Sequence, residues 1–186
     1  MGLLMKNEIR AFFLKKRKEL PNIEVQKKSD TIKENVFSFP RFIKAKNAMF
    51  FISIGKEPST QKMIARALKQ KIVLAPKIFG EALIPCELSP TTNFVKGQYN
   101  VLEPVEENFF PTSKIDIIFV PGLAFTENGD RIEFGKGYFD RFLAKTTAYK
   151  VGLCFDEFIT KKLPTDEYDI KMDAVITDKR VIVVNK

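Results

Sequence analysis

The residues best equipped for chemistry lie between positions 115 and 143, in IDIIFVPGLAFTENGDRIEFGKGYFDRFL. Gly135-Lys136-Gly137 permits a close backbone approach just before a helix start. The N–H groups of such a turn can cradle phosphate, and Lys136 or Arg131 can add positive charge. Asp140 follows one helical turn later, where a carboxylate can hold Mg²⁺ against phosphate oxygens. A lone Gly-x-Gly also occurs as an ordinary turn. Neither Gly-Lys-Ser/Thr nor GxGxxG is present, so this is no Walker A loop and no dinucleotide fingerprint. Asp140 can equally pair with Arg141 or Lys136 as a surface carboxylate. Glu57 stands where a buried strand is expected to end; its plain alternative is a first-turn helix residue favoured by the dipole. Asp169 and Asp173, four apart, share a face if their segment is helical. They are then either partners of Asp140 around Mg²⁺ or residues of a solvated turn after Pro164.

What the chain lacks narrows the reaction type. Its 186 residues contain no histidine. A Ser-His-Asp triad, a Cys-His pair, an HExxH zinc site and an imidazole base are therefore excluded. Cys86 and Cys154 are too few for a thiolate metal site or a disulfide framework. The net charge is +8, from 31 Lys and Arg against 23 Asp and Glu. The lysines are spread from Lys6 to Lys186, as on a solvated surface, so nucleic acid is not needed to explain them. The same excess attracts a polyanionic small molecule such as ATP. The apolar runs are too short to span a bilayer, and the N-terminus lacks the apolar core and cleavage site of a signal peptide. A cytoplasmic monomer formed by one domain over residues 1–186 is the expectation.

These residues must be positioned by the elements between them. Residues 3–20 read as a helix. At about 100° per residue, Lys6, Arg10 and Arg17 fall within roughly 40° of one another, beside an apolar face of Ile9, Phe12, Phe13 and Leu20. A second helix is predicted over 24–37, stopped by Pro40. A buried strand at 48–54 leads through Gly55-Lys56-Glu57-Pro58 to a helix at 60–70, capped by Ser59 or Thr60. A strand at 72–75, ended by Pro76, completes a βαβ unit. Short strands are expected at 83–88 and 93–95, with Glu103-Pro104 in a loop. The clearest strand covers 115–120, followed by a loop, a helix near 137–146 and a strand at 150–154. Two final strands, 173–177 and 180–184, form a hairpin or successive elements. The architecture implied is a three-layer α/β/α fold with an open, mostly parallel sheet and an N-terminal helix contributing to the cleft. Ligands of such sheets collect beyond the carboxyl ends of the strands, where Glu57, the 121–137 segment and the chain after Cys154 all fall.

Three pieces taken together carry a resemblance: Val120-Pro121-Gly122-Leu123-Ala124-Phe125, then Gly129-Asp130-Arg131, then Gly135-Lys136-Gly137-Tyr138-Phe139-Asp140-Arg141. They resemble the signature of the 5-formyltetrahydrofolate cyclo-ligase family, also called methenyltetrahydrofolate synthetase. Lys6–Arg10 with Arg17, Ile52-Ser53 with Glu57 and Thr60, Glu103-Pro104, and Asp169–Asp173 match its outer pieces in order. The resemblance implies conversion of 5-formyltetrahydrofolate and ATP to 5,10-methenyltetrahydrofolate, ADP and phosphate, with Mg²⁺. It implies that Lys6 and Arg10 meet ATP phosphates and that the 131–139 segment wraps the nucleotide, through Arg131, Phe134, Gly135, Lys136, Gly137, Tyr138 and Phe139. Glu57 would hold the pterin and Ile52 line its pocket, with Arg10, Phe134 and Tyr138 bordering substrate. Lys136, Arg131 and Tyr138 would act at the reacting groups. Asp140 and Asp169 would hold Mg²⁺, with Asp173 in reserve, and Arg17 would touch ligand or support the cleft. Four positions depart from the family pattern: Ile132 replaces a leucine, a mild change, Glu133 a glycine, Phe139 a tyrosine and Tyr168 a histidine. Glu133 adds an anion close to the expected phosphates. Two other functions remain open at this point: another ATP-using enzyme with an altered substrate, or a basic nucleic-acid binder.

Overall fold

The apolar runs of the sequence become the parallel centre of a seven-stranded sheet. The computed structural model describes residues 2–97 and 101–185, with side chains from Met5 onward. In chain order the elements are α1 (Gly2–Glu19), α2 (Asn22–Ser38), α3 (Pro40–Lys44), β1 (Asn47–Met49), α4 (Gln61–Ala67), β2 (Ile72–Phe79) and β3 (Ala82–Glu87). There follow β4 (Phe94–Lys96), β5 (Leu102–Pro104), β6 (Ile117–Val120), β7 (Ala124–Thr126) and β8 (Arg131–Ile132). The chain ends with α5 (Tyr138–Leu143), β9 (Tyr149–Leu153), β10 (Ile159–Thr160), β11 (Ala174–Ile176) and β12 (Val181–Val183).

The sheet order is β12-β11-β9-β6-β1-β2-β3. The five inner strands run parallel, and β12 and β3 pair antiparallel at the two edges. Helices flank it in a three-layer α/β/α arrangement, with α2 against β11 and α4 against β2. All four residues of β6 are buried, as a central parallel strand covered on both faces requires. Phe50 and Phe119 stack at 4.5 Å between ring centres, with Phe42 edge-on to both. From β1 the chain crosses to β2 on one side, and from β6 to β9 on the other. The gap between the carboxyl ends of β1 and β6 is therefore the topological switch point, where such folds bind ligands.

Several boundaries differ from the sequence expectation for identifiable reasons. The strand predicted at 48–54 stops at Met49, because side chains take over its backbone partners. Thr60 Oγ1 donates to Phe51 O at 2.7 Å and accepts from Ser53 N; Ile54 N donates to Glu57 Oε2 at 2.9 Å. Thr60 thus holds the 51–54 turn and does not cap α4, and Ser59 makes no cap either. β2 runs through Pro76 to Phe79. Pro76 faces Pro85 in register, so both missing N–H groups fall on one rung, beyond the Leu74 rung shared with β1. Glu103-Pro104 is strand, paired in a small ribbon with β4. The 124–132 segment forms β7 and β8, which join β10 in a three-stranded sheet. The last two strands are a hairpin.

Candidate active site

The basic stripe of α1 docks on three segments that follow strands. Lys6 Nζ reaches Asp166 Oδ2 at 2.8 Å and Asp169 Oδ2 at 2.5 Å. Arg10 Nε donates to Glu133 O at 2.9 Å. Arg17 donates to Gly122 O and to Leu123 O, just beyond β6. Spacings of four and seven residues have thus become a clamp between the N-terminal helix and the segments that follow β6, β8 and β10. Burial pulls the Lys6 ammonium down, but Asp166 and Asp169 outweigh it and hold it above its ordinary value.

Two cavities meet at the glycine-rich segment. The first, of about 560 Å³, is lined mainly by charged residues and is the more polar of the two, and its walls include Lys6, Arg10, Arg131, Asp140, Arg141 and Asp169, with Gly135 and Gly137. The second, of about 340 Å³, is mainly apolar and lies at the switch point. Phe51, Ile52 and Ile54 form one side, Pro76, Ile78 and Leu83 another, and Phe134, Lys136, Tyr138 and Phe139 a third. Glu133 lines both. Gly135 (φ 95°) and Gly137 (φ 66°) hold left-handed conformations that disfavour any side chain. A Cβ on Gly135 would also come within 3.2 Å of the Arg10 guanidinium carbon.

Inside the apolar cavity Glu57 is only 5% exposed. Burial pushes its carboxyl up to about 7, and Arg17, whose Nη1 lies 3.7 Å from Glu57 Oε1, offsets part of that rise. Arg17 is itself buried, and desolvation lowers its pKa. Arg17 supports Glu57 and the Pro121–Leu123 turn from beneath and lines neither cavity, so of the two roles expected for it the structure favours support.

On the polar side Arg131 Nη2 donates to Asp140 Oδ1 at 2.7 Å, and Nη1 to Pro121 O at 3.1 Å. Ile170 N also reaches Asp140 Oδ1, at 3.3 Å, which ties the 164–173 segment to α5. Asp140 and Asp169 therefore border one cavity together with four cations. Asp173 does not. It precedes β11 at the amino end of the sheet, where its carboxylate accepts from Lys150 N at 2.7 Å, and this removes it as a reserve ligand. Residues 169–173 are not helical, so a four-residue spacing does not return to the same face.

Sequence reasoning missed Asp166 and Ile170 in the polar cavity, and read Arg141 only as a possible partner of Asp140. Glu103, matched only by its order in the chain, lines the apolar one. It is buried, and its Oε1 has no hydrogen-bond partner among the described residues. No spacing marks Asp166; for Glu103 the one available signal was its place before Pro104 in the order of the resemblance.

Comparison with known proteins bears out the family resemblance. The sequence model of the 5-formyltetrahydrofolate cyclo-ligase family matches residues 4–178. The 5-formyltetrahydrofolate cyclo-ligase of Escherichia coli K12 is 30% identical over 176 residues, covering 89% of this chain and 96% of that one. The NMR structure of 5,10-methenyltetrahydrofolate synthetase from Aquifex aeolicus is similar with a TM-score of 0.90 at 32% identity, covering 98% of this chain and 94% of that one. The synthetase from Mycoplasma pneumoniae shares the fold at a TM-score of 0.75 and 24% identity, covering 93% and 98%.

Proposed function

The chain belongs to the 5-formyltetrahydrofolate cyclo-ligase family, and on that premise we propose how its two cavities divide the reaction between them. The reaction converts 5-formyltetrahydrofolate and ATP to 5,10-methenyltetrahydrofolate, ADP and phosphate, with Mg²⁺. The polar cavity takes the nucleotide, with Lys6 and Arg10 toward its phosphates. The apolar cavity takes the reduced folate: ionised Glu57 accepts the pterin N–H donors, and Ile52, Phe134 and Tyr138 pack on the rings. One observation carries this division. A single turn, Glu133 to Tyr138, borders both cavities, so a γ-phosphoryl group and a formyl oxygen can meet across it.

In this reading the formyl oxygen attacks the γ-phosphorus and ADP departs. N10 then attacks the activated formyl carbon, closing the ring and releasing its proton. The C–O bond breaks, phosphate leaves, and the methenyl cation remains. Such chemistry is met by positioning and cations, without an imidazole base. Lys136 extends toward the transferring group, Tyr138 orders the substrate beside it, and Arg131 fixes Asp140 at the cavity wall. Asp140 and Asp169 suit Mg²⁺, because two hard carboxylates face one polar cavity. Among the described residues no cluster of three or more such groups exists, so phosphate oxygens and water must complete the shell, as is usual for this ion. When bound, Mg²⁺ neutralises charge on the β- and γ-phosphates.

We further propose a monomer, a single domain over residues 1–186, acting in the cytoplasm without nucleic acid or membrane. Among the described residues no helix is long and apolar enough to cross a membrane. The test of the chemical route is isotopic: 5-formyltetrahydrofolate labelled with ¹⁸O in the formyl group should deliver the label to inorganic phosphate. Recovery of the label in water would reject phosphorylation of the formyl oxygen.

A further inference from the structure

The turn expected to present N–H groups to phosphate already holds an anion of the chain's own. Gly137 N donates to Glu133 Oε1 at 2.7 Å, and Arg131 Nη1 donates to Glu133 Oε2 at 3.2 Å. A backbone N–H in a glycine turn and a guanidinium together are the donors that recognise a phosphoryl oxygen. The Glu133 side chain is 17% exposed and stands where the two cavities meet. Its backbone is pinned separately, by Arg10 at Glu133 O, so rotation of the side chain need not move the turn. Asp140 also holds the Arg131 guanidinium and lies within hydrogen-bond reach of the Glu133 carboxyl, so the guanidinium stays in place if Glu133 withdraws. A carboxylate at this point also repels an incoming triphosphate, most strongly where water is excluded.

We propose that Glu133 is an internal phosphate surrogate: its carboxylate occupies the Gly137 N–H and Arg131 donors in the free protein, and must leave them before the nucleotide phosphate can bind there. Glu133 is then a positioning residue that sets ATP affinity, holding the turn ordered without ligand at the expense of binding strength. The inference rests on the nucleotide reading of the polar cavity.

The experiment is calorimetric titration of the full-length protein with MgATP, and with ATP in EDTA, for the native chain, E133Q and E133G. Melting temperatures are measured with and without saturating MgATP. Breaking charge-assisted hydrogen bonds is the step ATP would no longer have to perform, so both variants should bind MgATP at least about fivefold tighter. They should also melt lower than the native chain without nucleotide, and the gap should narrow with it. A purely structural glutamate would lower the melting temperature without raising affinity, and that result would overturn the proposal. Weaker binding in the presence of Mg²⁺ alone would overturn it too, by making Glu133 a metal ligand. E133Q preserves the side-chain shape should E133G fold poorly. If native chain and variants all fail to bind ATP, the nucleotide reading falls and this inference with it. Native binding without the gain in the variants rejects this inference alone.

Discussion

Replacing Glu57 by Gln removes a buried carboxylate whose charge the fold opposes. Burial raises the Glu57 carboxyl from 4.5 to about 7, despite Arg17 nearby. The folded chain therefore holds this proton more tightly than the unfolded chain, and stability falls as pH rises from the unfolded value through about 7. For those two values, the loss between pH 5 and pH 8 integrates to about 2.5 kcal/mol. Gln has no proton to lose. Any fixed penalty of the substitution, including the loss of a counter-charge for Arg17, cancels when one variant is compared with itself at two pH values. Moving both proteins from pH 5 to pH 8 should thus favour E57Q over the native chain by about 2.5 kcal/mol. With a urea slope of about 2 kcal/mol per M, the difference in midpoints should change by about 1 M. Urea unfolding followed by circular dichroism at the two pH values reads this directly. A midpoint difference independent of pH would refute the burial argument. The same proton bears on substrate: folate affinity of the native chain should fall about tenfold per pH unit below 7, whereas E57Q should bind weakly at every pH.

Three further substitutions separate the cavities. Asp140→Asn should lower kcat at least about a hundredfold while leaving the KM for folate nearly unchanged, because Asp140 borders the polar cavity; steady-state kinetics with each substrate varied in turn checks both. Gly135→Ala should cost about 1–2 kcal/mol in urea unfolding through its positive φ, and should raise the KM for ATP more than that for folate. Lys6→Met leaves Asp166 and Asp169 without their ammonium; the KM for ATP should rise about tenfold at low salt, and by less at high ionic strength.

The legible parts of the molecule were those with a physical period. Lys6, Arg10 and Arg17 could be placed on one stripe because an eighteen-residue helix fixes their angles. The strands now called β1, β2, β6 and β9 were visible as apolar runs, but the switch point follows from their order in the sheet, which no run of residues announces. Gly135 and Gly137 were readable as a close backbone approach before a helix, whereas their positive φ values emerge only in the fold. Elements of two or three residues, such as β7, β8 and β10, have too few positions to show a period. Asp173 was misread because its spacing from Asp169 assumed a helix, whereas an extended chain of four residues spans up to roughly 14 Å. The inward turn of Glu133 depends on a contact between residues 133 and 137 that no pattern of residue types announces. Glu57 was readable as a strand-end carboxylate, but its pairing with Arg17 joins segments forty positions apart, and only the packed core brings them together.

ATP-driven ring closure on a reduced folate can be read in a single assay. Purified protein is mixed with 5-formyltetrahydrofolate and MgATP, and the absorbance of methenyltetrahydrofolate is followed together with release of ADP. The two products should appear together in equal amounts, and only when folate, ATP and Mg²⁺ are all present. Absence of methenyl product above the enzyme-free control across a range of substrate concentrations, or its formation without ADP, would contradict ATP-driven ring closure.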